Sequence, residues 1–170
     1  MTILETERLI LRQIFTDDAE FMLSLLNEPD WIKYIGDRGI QTVEAAKQYI
    51  QDGPMTMYEE YGIGLYLVEL KESETPIGIC GLIQRDFLKD VDLGFAISLK
   101  YWGCGYACEA ANAILTYGTE VLGFRRIVGF TSLDNEKSAN LLLKLGMNEE
   151  GKMKFVSMTE DVRLFAINYE

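Results

Sequence analysis

The sequence predicts a mixed α/β fold organised around one central sheet, and three observations carry that prediction. Apolar, β-rich runs at residues 62–70, 76–83 and 91–97 succeed one another across short connections, the pattern of an antiparallel meander. The third run passes through a turn, Lys100-Tyr101-Trp102-Gly103-Cys104-Gly105-Tyr106-Ala107, into a segment of helical period. Apolar or small residues recur there at 107, 110, 111, 114, 118 and 121, one face of a 3.6-residue repeat. A further β-rich run at 126–132 then completes a β-α-β unit whose two strands should lie parallel.

The remaining elements follow in chain order. Residues 8–12 alternate Leu9 and Leu11 against Arg8, Ile10 and Arg12, a strand with one buried face. Asp17-x-x-Glu20 has the form of a capping box ahead of Phe21, Met22, Leu25 and Leu26, which share a helix face; Asn27-Glu28-Pro29-Asp30 ends that helix. Residues 31–39 are rich in aromatics and glycine. Thr42 caps a second helix to about residue 52, with Val43, Ala46 and Ile50 inward. Gly53-Pro54 is expected to stop it, and residues 55–61 fit either a helical turn or a loop. Residues 71–75 are a polar turn within the meander. After the β-α-β unit, Asp134 or Asn135 caps a helix to residue 145, and Gly146 supplies its stop. Two last strands, around 147–155 and 161–168, should form a closing hairpin. Repeats, linkers and low-complexity tracts are absent, so residues 1–170 are expected to form one domain.

Bulk properties narrow the function. The chain is 48% hydrophobic and 25% charged, ordinary for a globular protein. It shows neither a secretory-signal pattern nor an apolar stretch near the ~20 residues that cross a bilayer, so no membrane partner is expected. Cys80, Cys104 and Cys108 show no disulfide framework, which suits a reducing, cytoplasmic setting. Without any histidine or a second cysteine pair, no metal site is expected. The net charge of −11 argues against nucleic acid as a partner and suits a cationic one, though acidic charge also simply confers solubility.

The glycine turn is the first functional signal. A strand feeding a helix through such a turn gathers free backbone N–H groups at the positive end of the helix dipole, a site for a phosphate or pyrophosphate. Gly103 and Gly105 let backbone and ligand approach closely. No Gly-Lys-Ser/Thr follows, so this is no Walker A loop. The dinucleotide fingerprint fails too, because Cys108 stands where it needs Gly or Ala.

Lys100-x-x-Gly103-x-Gly105-Tyr106-Ala107-x-Glu109-Ala110 resembles the acetyl-CoA loop of the Gcn5-related N-acetyltransferases (GNAT), with Lys100 where Arg or Gln is usual. Three more stretches resemble the branch that acetylates ribosomal-protein N-termini: Thr6-Glu7-Arg8-Leu9-Ile10-Leu11-Arg12, Asn135-x-x-Ser138-Ala139 and Lys144-Leu145-Gly146-Met147. The resemblance implies a mixed sheet of about seven strands with helices on both faces. It also implies that the strands flanking the glycine-turn helix splay apart to hold acetyl-CoA. The pantetheine arm would then lie along the backbone of Ala96, Ile97 and Ser98, and the pyrophosphate against Lys100, Gly103, Cys104, Gly105, Tyr106 and Ala107. Asn135 and Ser138, ordinary capping residues in themselves, would contact the cofactor.

Acetyl transfer to an amine needs a neutral amine, an aligned thioester, a donor for the developing oxyanion and a proton for the thiolate. Lacking histidine, the chain must use a carboxylate base or rely on water. Asp92 is the first candidate, since the matching family position often carries Glu facing the cleft; the alternative is an Asp that solvates a strand end or pairs with a nearby Arg. Glu109 should complement the helix dipole. Leu142 stands where many members carry a proton-donating Tyr, which leaves Ser138 as the candidate donor. Cys104 and Cys108 have no base beside them, so direct attack in a ternary complex is favoured over a covalent route. Trp31, Tyr34 and Tyr58, in the segments 31–39 and 55–61, are candidate substrate contacts, with Asp37 or Glu59 meeting a cation. The expected reaction is acetyl-CoA-dependent acetylation of a primary amine, on a protein N-terminus or a small molecule, by a monomer or homodimer. The alternatives are a polyamine or aminoglycoside-type antibiotic as acceptor, or a catalytically silent acyl-CoA-binding module.

Overall fold

The structure, a computed structural model, describes residues 1–155 and 160–170. Its strands are β1 (Thr2–Glu5), β2 (Leu9–Arg12), β3 (Leu65–Leu70), β4 (Pro76–Ile83), β5 (Val91–Ile97), β6 (Arg126–Ser132), β7 (Asn148–Met153) and β8 (Val162–Asn168). The helices are α1 (Ala19–Leu26), α2 (Pro29–Tyr34), α3 (Val43–Ile50), α4 (Thr56–Tyr61), α5 (Tyr106–Thr116) and α6 (Glu136–Lys144). The strands form one sheet in the order β1-β2-β3-β4-β5-β6-β8-β7. Every neighbouring pair is antiparallel except β5 and β6, which are parallel as the β-α-β reading requires.

Local chemistry explains the elements that differ from expectation. An eighth strand, β1, pairs with β2 as a hairpin at the sheet edge; its four residues are too short for periodicity to reveal. Asp18, rather than an Asp17–Glu20 box, secures the start of α1: its Oδ2 accepts from the Phe15 amide at 2.9 Å. The helix does stop at Asn27, but Pro29 restarts the chain as the first residue of α2, where its missing N–H has no helical partner to lose. Gly53-Pro54 does not stop α3. A five-residue π turn, residues 51–55, carries the helix past Pro54 into α4, because the wider turn accommodates a ring that an α-helical turn would not. Gly62, at φ 71°, then ends α4, and β3 starts only at Leu65. A second π turn, residues 117–121, follows α5 and swings Val121 out to 69% exposure, off the inward face its spacing suggested.

Apolar side chains cover both faces of the sheet. On one face Tyr66, Val68, Leu82 and Leu93 pack with Ile114 of α5 and Leu142 of α6. On the other, Leu67 and Ile79 pack with Met22, Leu25, Trp31, Ala46 and Ile50 of the first three helices. Each large aliphatic side chain so enclosed contributes roughly 1.5–3 kcal/mol. Arg12 fastens β2 to these helices: it pairs with Asp18 at 2.8 Å and with Glu69 of β3 at 3.2 Å. On that side the polar network therefore joins the sheet to the helices.

One close approach sets the packing of the meander. Gly81 of β4 lies opposite Leu65, and a Cβ on it would strike the carbonyl oxygen of Gly64 in the neighbouring segment. Gly81→Ala is therefore expected to lose about 1–3 kcal/mol or more through overpacking. The check is a lower urea midpoint at unchanged slope; an unaltered midpoint would mean the strands part freely.

Candidate active site

The two parallel strands stay together only briefly. Val91 pairs with Ile127 and Asp92 with Val128; beyond them, residues 93–97 of β5 and 129–132 of β6 have no ladder partner on their facing edges among the described residues. Between the separating strands opens a cavity of about 1310 Å³, bounded by α2, α3, the glycine turn and α6. That exceeds the ~300–1,000 Å³ of an ordinary small-ligand pocket, leaving room for two reactants.

The glycine turn forms one wall. Residues 99–101 make a single 3₁₀ turn, then Gly103 and Gly105 adopt φ values of 77° and 81°, which L side chains rarely tolerate. Gly105 caps α5, and the first intrahelical bond runs from the Glu109 amide to the Gly105 carbonyl at 3.0 Å. The amides of Tyr106, Ala107 and Cys108 therefore have no helical acceptor. The turn is held from outside by Arg8. Its Nε and amide donate to Glu109 at 2.7 and 2.9 Å, its Nη1 donates to the Cys104 carbonyl at 3.0 Å, and its guanidinium lies 4.5 Å from the Tyr106 ring centroid. Thr6 Oγ1 adds a 2.6 Å bond to Glu109. Partial burial would raise the Glu109 pKa, but the bonds from Thr6 and Arg8 outweigh it and hold the carboxyl below its ordinary value. Glu109 is thus the anchor of a clamp as well as a dipole partner, and the opening Thr6-Glu7-Arg8 stretch acquires a structural role that spacing alone did not reveal.

Of the residues expected near a cofactor, Ala96, Ile97, Gly103, Gly105, Tyr106, Ala107, Asn135 and Ser138 line the cavity. Lys100 and Cys104 are exposed beside it, with Lys100 Nζ 5.6 Å from the Tyr101 ring. Ser98 is engaged elsewhere: its amide donates to the Ile77 carbonyl at 2.8 Å and its hydroxyl to Glu28 at 2.8 Å. Strand alternation then directs the Ala96 backbone toward β4 as well, so Phe95 and Ile97 present their polar groups to the open edge. The Ile97 carbonyl accepts from Trp102 Nε1 at 2.6 Å, which pins the turn to the strand. Phe95 also lines the cavity, a residue that the sequence did not single out.

Asp92, Gly94 and Ala96 alternate onto the face of β5 opposite α5. Asp92 is only 2% exposed, and its Oδ1 accepts from Arg85 Nε at 2.9 Å. Burial raises its pKa above the ordinary carboxylate value, with Arg85 opposing the rise. Both the cleft-facing Asp and the Arg-paired Asp are therefore present in one arrangement. Across the gap, Asn135 Oδ1 caps α6 by accepting from the Ser138 amide at 3.2 Å, and the Ser138 side chain lines the cavity. Leu142 is buried in the wall behind them. Among the described residues, Trp31 Nε1 and Ser132 Oγ are buried polar atoms without partners, and both residues line the cavity. Trp31 and Tyr34 meet the cavity from α2. Tyr58 does not: its hydroxyl donates to the Leu65 carbonyl and accepts from the Ile14 amide at 3.1 Å, and its ring stacks on Tyr66 at 5.6 Å. It is a core tyrosine, because the π turn rotates α4 onto β3. Asp37 bonds the Gly39 amide at 2.8 Å in a surface loop, and neither it nor Glu59 lines the cavity.

This geometry has close relatives among known proteins. The family model described as acetyltransferase (GNAT) domain matches residues 8–148. The uncharacterized N-acetyltransferase YoaA of Bacillus subtilis is 34% identical over 154 residues, covering 89% of this chain and 86% of the relative. A GNAT-family acetyltransferase from Bacillus anthracis is 25% identical, with a TM-score of 0.80 over 99% of this chain and 98% of that one. RimL, a ribosomal α-N-protein acetyltransferase solved in complex with coenzyme A, shares the fold at a TM-score of 0.84 with 17% identity, over 99% of this chain and 98% of that one. The overall fold is thus shared, and the chain belongs to the GNAT family of N-acetyltransferases.

Proposed function

We propose that residues 1–170 act as one acetyl-CoA-dependent N-acetyltransferase domain, moving an acetyl group to a primary amine by direct attack in a ternary complex. One observation carries this reading: three unpartnered amides at the head of α5 open onto the same cavity as the unpaired edge of β5. An anion held at the amides and an extended arm along the edge together describe one long ligand.

In this reading the amides of Tyr106, Ala107 and Cys108 hold the pyrophosphate, with Lys100 supplying a cation from the rim. Phe95 and Ile97 offer backbone groups to the pantetheine amides. The side chain of Asn135 has its Nδ2 available, since Oδ1 is committed to the cap. Acetyl-CoA supplies the acetyl group as an activated thioester. Asp92 takes a proton from the substrate ammonium, directly or through water, and the neutral amine so formed attacks the thioester carbonyl, while Arg85 orients the carboxylate and opposes the rise in its pKa. As the C–S bond breaks, Ser138 Oγ relays to the departing sulfur the proton that the amine nitrogen gives up on forming the amide, the role Leu142 has no group to fill. Trp31 and Tyr34 wall the acceptor end.

Two variants separate binding from chemistry. Gly105→Glu adds a side chain and a negative charge where φ is 81°, and is expected to abolish acetyl-CoA binding in calorimetry while the protein remains folded by circular dichroism; unchanged affinity would move the cofactor elsewhere. Asp92 must be deprotonated to act as base, so wild-type turnover should fall as pH drops through its raised pKa. Asp92→Asn is expected to lose about 10²–10⁴-fold in kcat and to lose that acidic limb, with CoA affinity retained. A mutant whose pH–rate profile matches wild type would remove Asp92 from the chemistry.

A further inference from the structure

Two arginines stand in the acceptor end of the cavity, and their charge is only partly answered. Arg85 gives Nε to Asp92, while its terminal nitrogens meet no hydrogen-bond acceptor among the described residues. Its guanidinium is fixed over Phe130 at 5.0 Å and near Phe87 at 5.9 Å, so the planar fork keeps one direction. Arg38, from the loop between α2 and α3, lines the same cavity and makes no hydrogen bond or ion pair among the described residues. Tyr49 of α3 shares that wall: burial raises its phenol pKa, and the fields of Arg38 and Arg85 both oppose the rise. Trp31 Nε1 adds a buried donor without a partner in the cavity's lining.

The acidic side chains of the cavity do not cancel these groups. Glu28 accepts from Ser98 Oγ and the Leu99 amide, and Glu136 pairs with Arg163. Asp30, Asp134, Glu160 and Asp161 make no ion pair with either arginine among the described residues, and the last three are exposed at the rim, as Arg38 is. We infer that the Arg85 fork and Arg38 recognise a carboxylate on the acceptor, which makes the preferred substrate an amine carrying an anionic group a few bonds from the nitrogen. The short span follows from Arg85 itself: a group on its terminal nitrogens is necessarily next to one on Asp92. Two sources offer that chemistry, a free amino acid and a peptide N-terminus followed by an acidic residue. The inference rests on the N-acetyltransferase reading above and narrows it, setting polyamines aside. The overall charge of −11 does not oppose it, because at physiological salt fields are screened beyond about 8 Å and the contacting arginines decide.

The test uses the full chain loaded with CoA for calorimetry and supplied with acetyl-CoA for turnover. C-terminally amidated Ser-Asp-Phe and Ser-Asn-Phe, serine and serinamide, and spermidine are the probes. The acidic peptide is expected to exceed its neutral isostere at least tenfold in both affinity and kcat/KM if peptides are the source; serine should exceed serinamide likewise if amino acids are. Arg38→Gln should reduce the ratio to below twofold, whereas Lys33→Gln, a cation outside the cavity lining, should leave it. Equal binding within each pair, or spermidine bound most tightly, would overturn the inference. Turnover without discrimination faults the arginines alone; discrimination in calorimetry without turnover of any amine faults the chemistry and leaves the carboxylate site standing.

Discussion

The site depends on a parallel strand pair that is allowed to form only two positions of register. Val91 and Asp92 pair with Ile127 and Val128, after which each strand follows its other neighbour: β5 stays with β4, and β6 stays with β8. Buried backbone groups on the parted edges need partners. Part of that need is met internally, as when Trp102 reaches back to the Ile97 carbonyl. The rest leaves a strand-shaped gap between β5 and β6, edged by main-chain groups.

The glycine turn can face that gap only because something holds it there. Arg8 and Thr6, from the segment between β1 and β2, converge on Glu109 one turn into α5, and Arg8 also reaches the Cys104 carbonyl. These contacts tie residues about a hundred positions apart, so the amides at the head of α5 are positioned by the N-terminal segment as much as by their own loop. The clamp is exposed on its Arg8 side, and its value lies in fixing geometry more than in net stability. The buried counterpart is Arg85–Asp92, where burial raises the pKa of the carboxylate and the ion pair opposes that rise.

Much of this was legible in the sequence, for identifiable reasons. Strands β4, β5 and β6 coincide with the runs that alternation and turn residues delimit, because buried strands bounded by polar turns carry a dense local signal. The caps of Thr42 and Asn135 are local too, each a side chain serving an amide three residues on. What escaped is non-local or depends on rare backbone. Pro54 reads as a helix stop unless the π turn is known, and that same turn carries Tyr58 into the core, away from the cavity. Whether Asp92 meets Arg85 is decided by how the β4–β5 loop folds over Phe130, which no spacing records. Ser98 looked available because the direction of a strand's amides depends on register with its neighbour.

The most direct measurement is thermal unfolding of the full chain alone, with acetyl-CoA and with CoA. Binding to the native state alone should stabilise by about 2.7 kcal/mol at a hundredfold excess over Kd, a clear rise in Tm with either ligand, since the proposed contacts lie on the pyrophosphate and pantetheine they share. No rise at saturating concentration of either would contradict the account, leaving the parted strands and the glycine turn without the ligand that explains them.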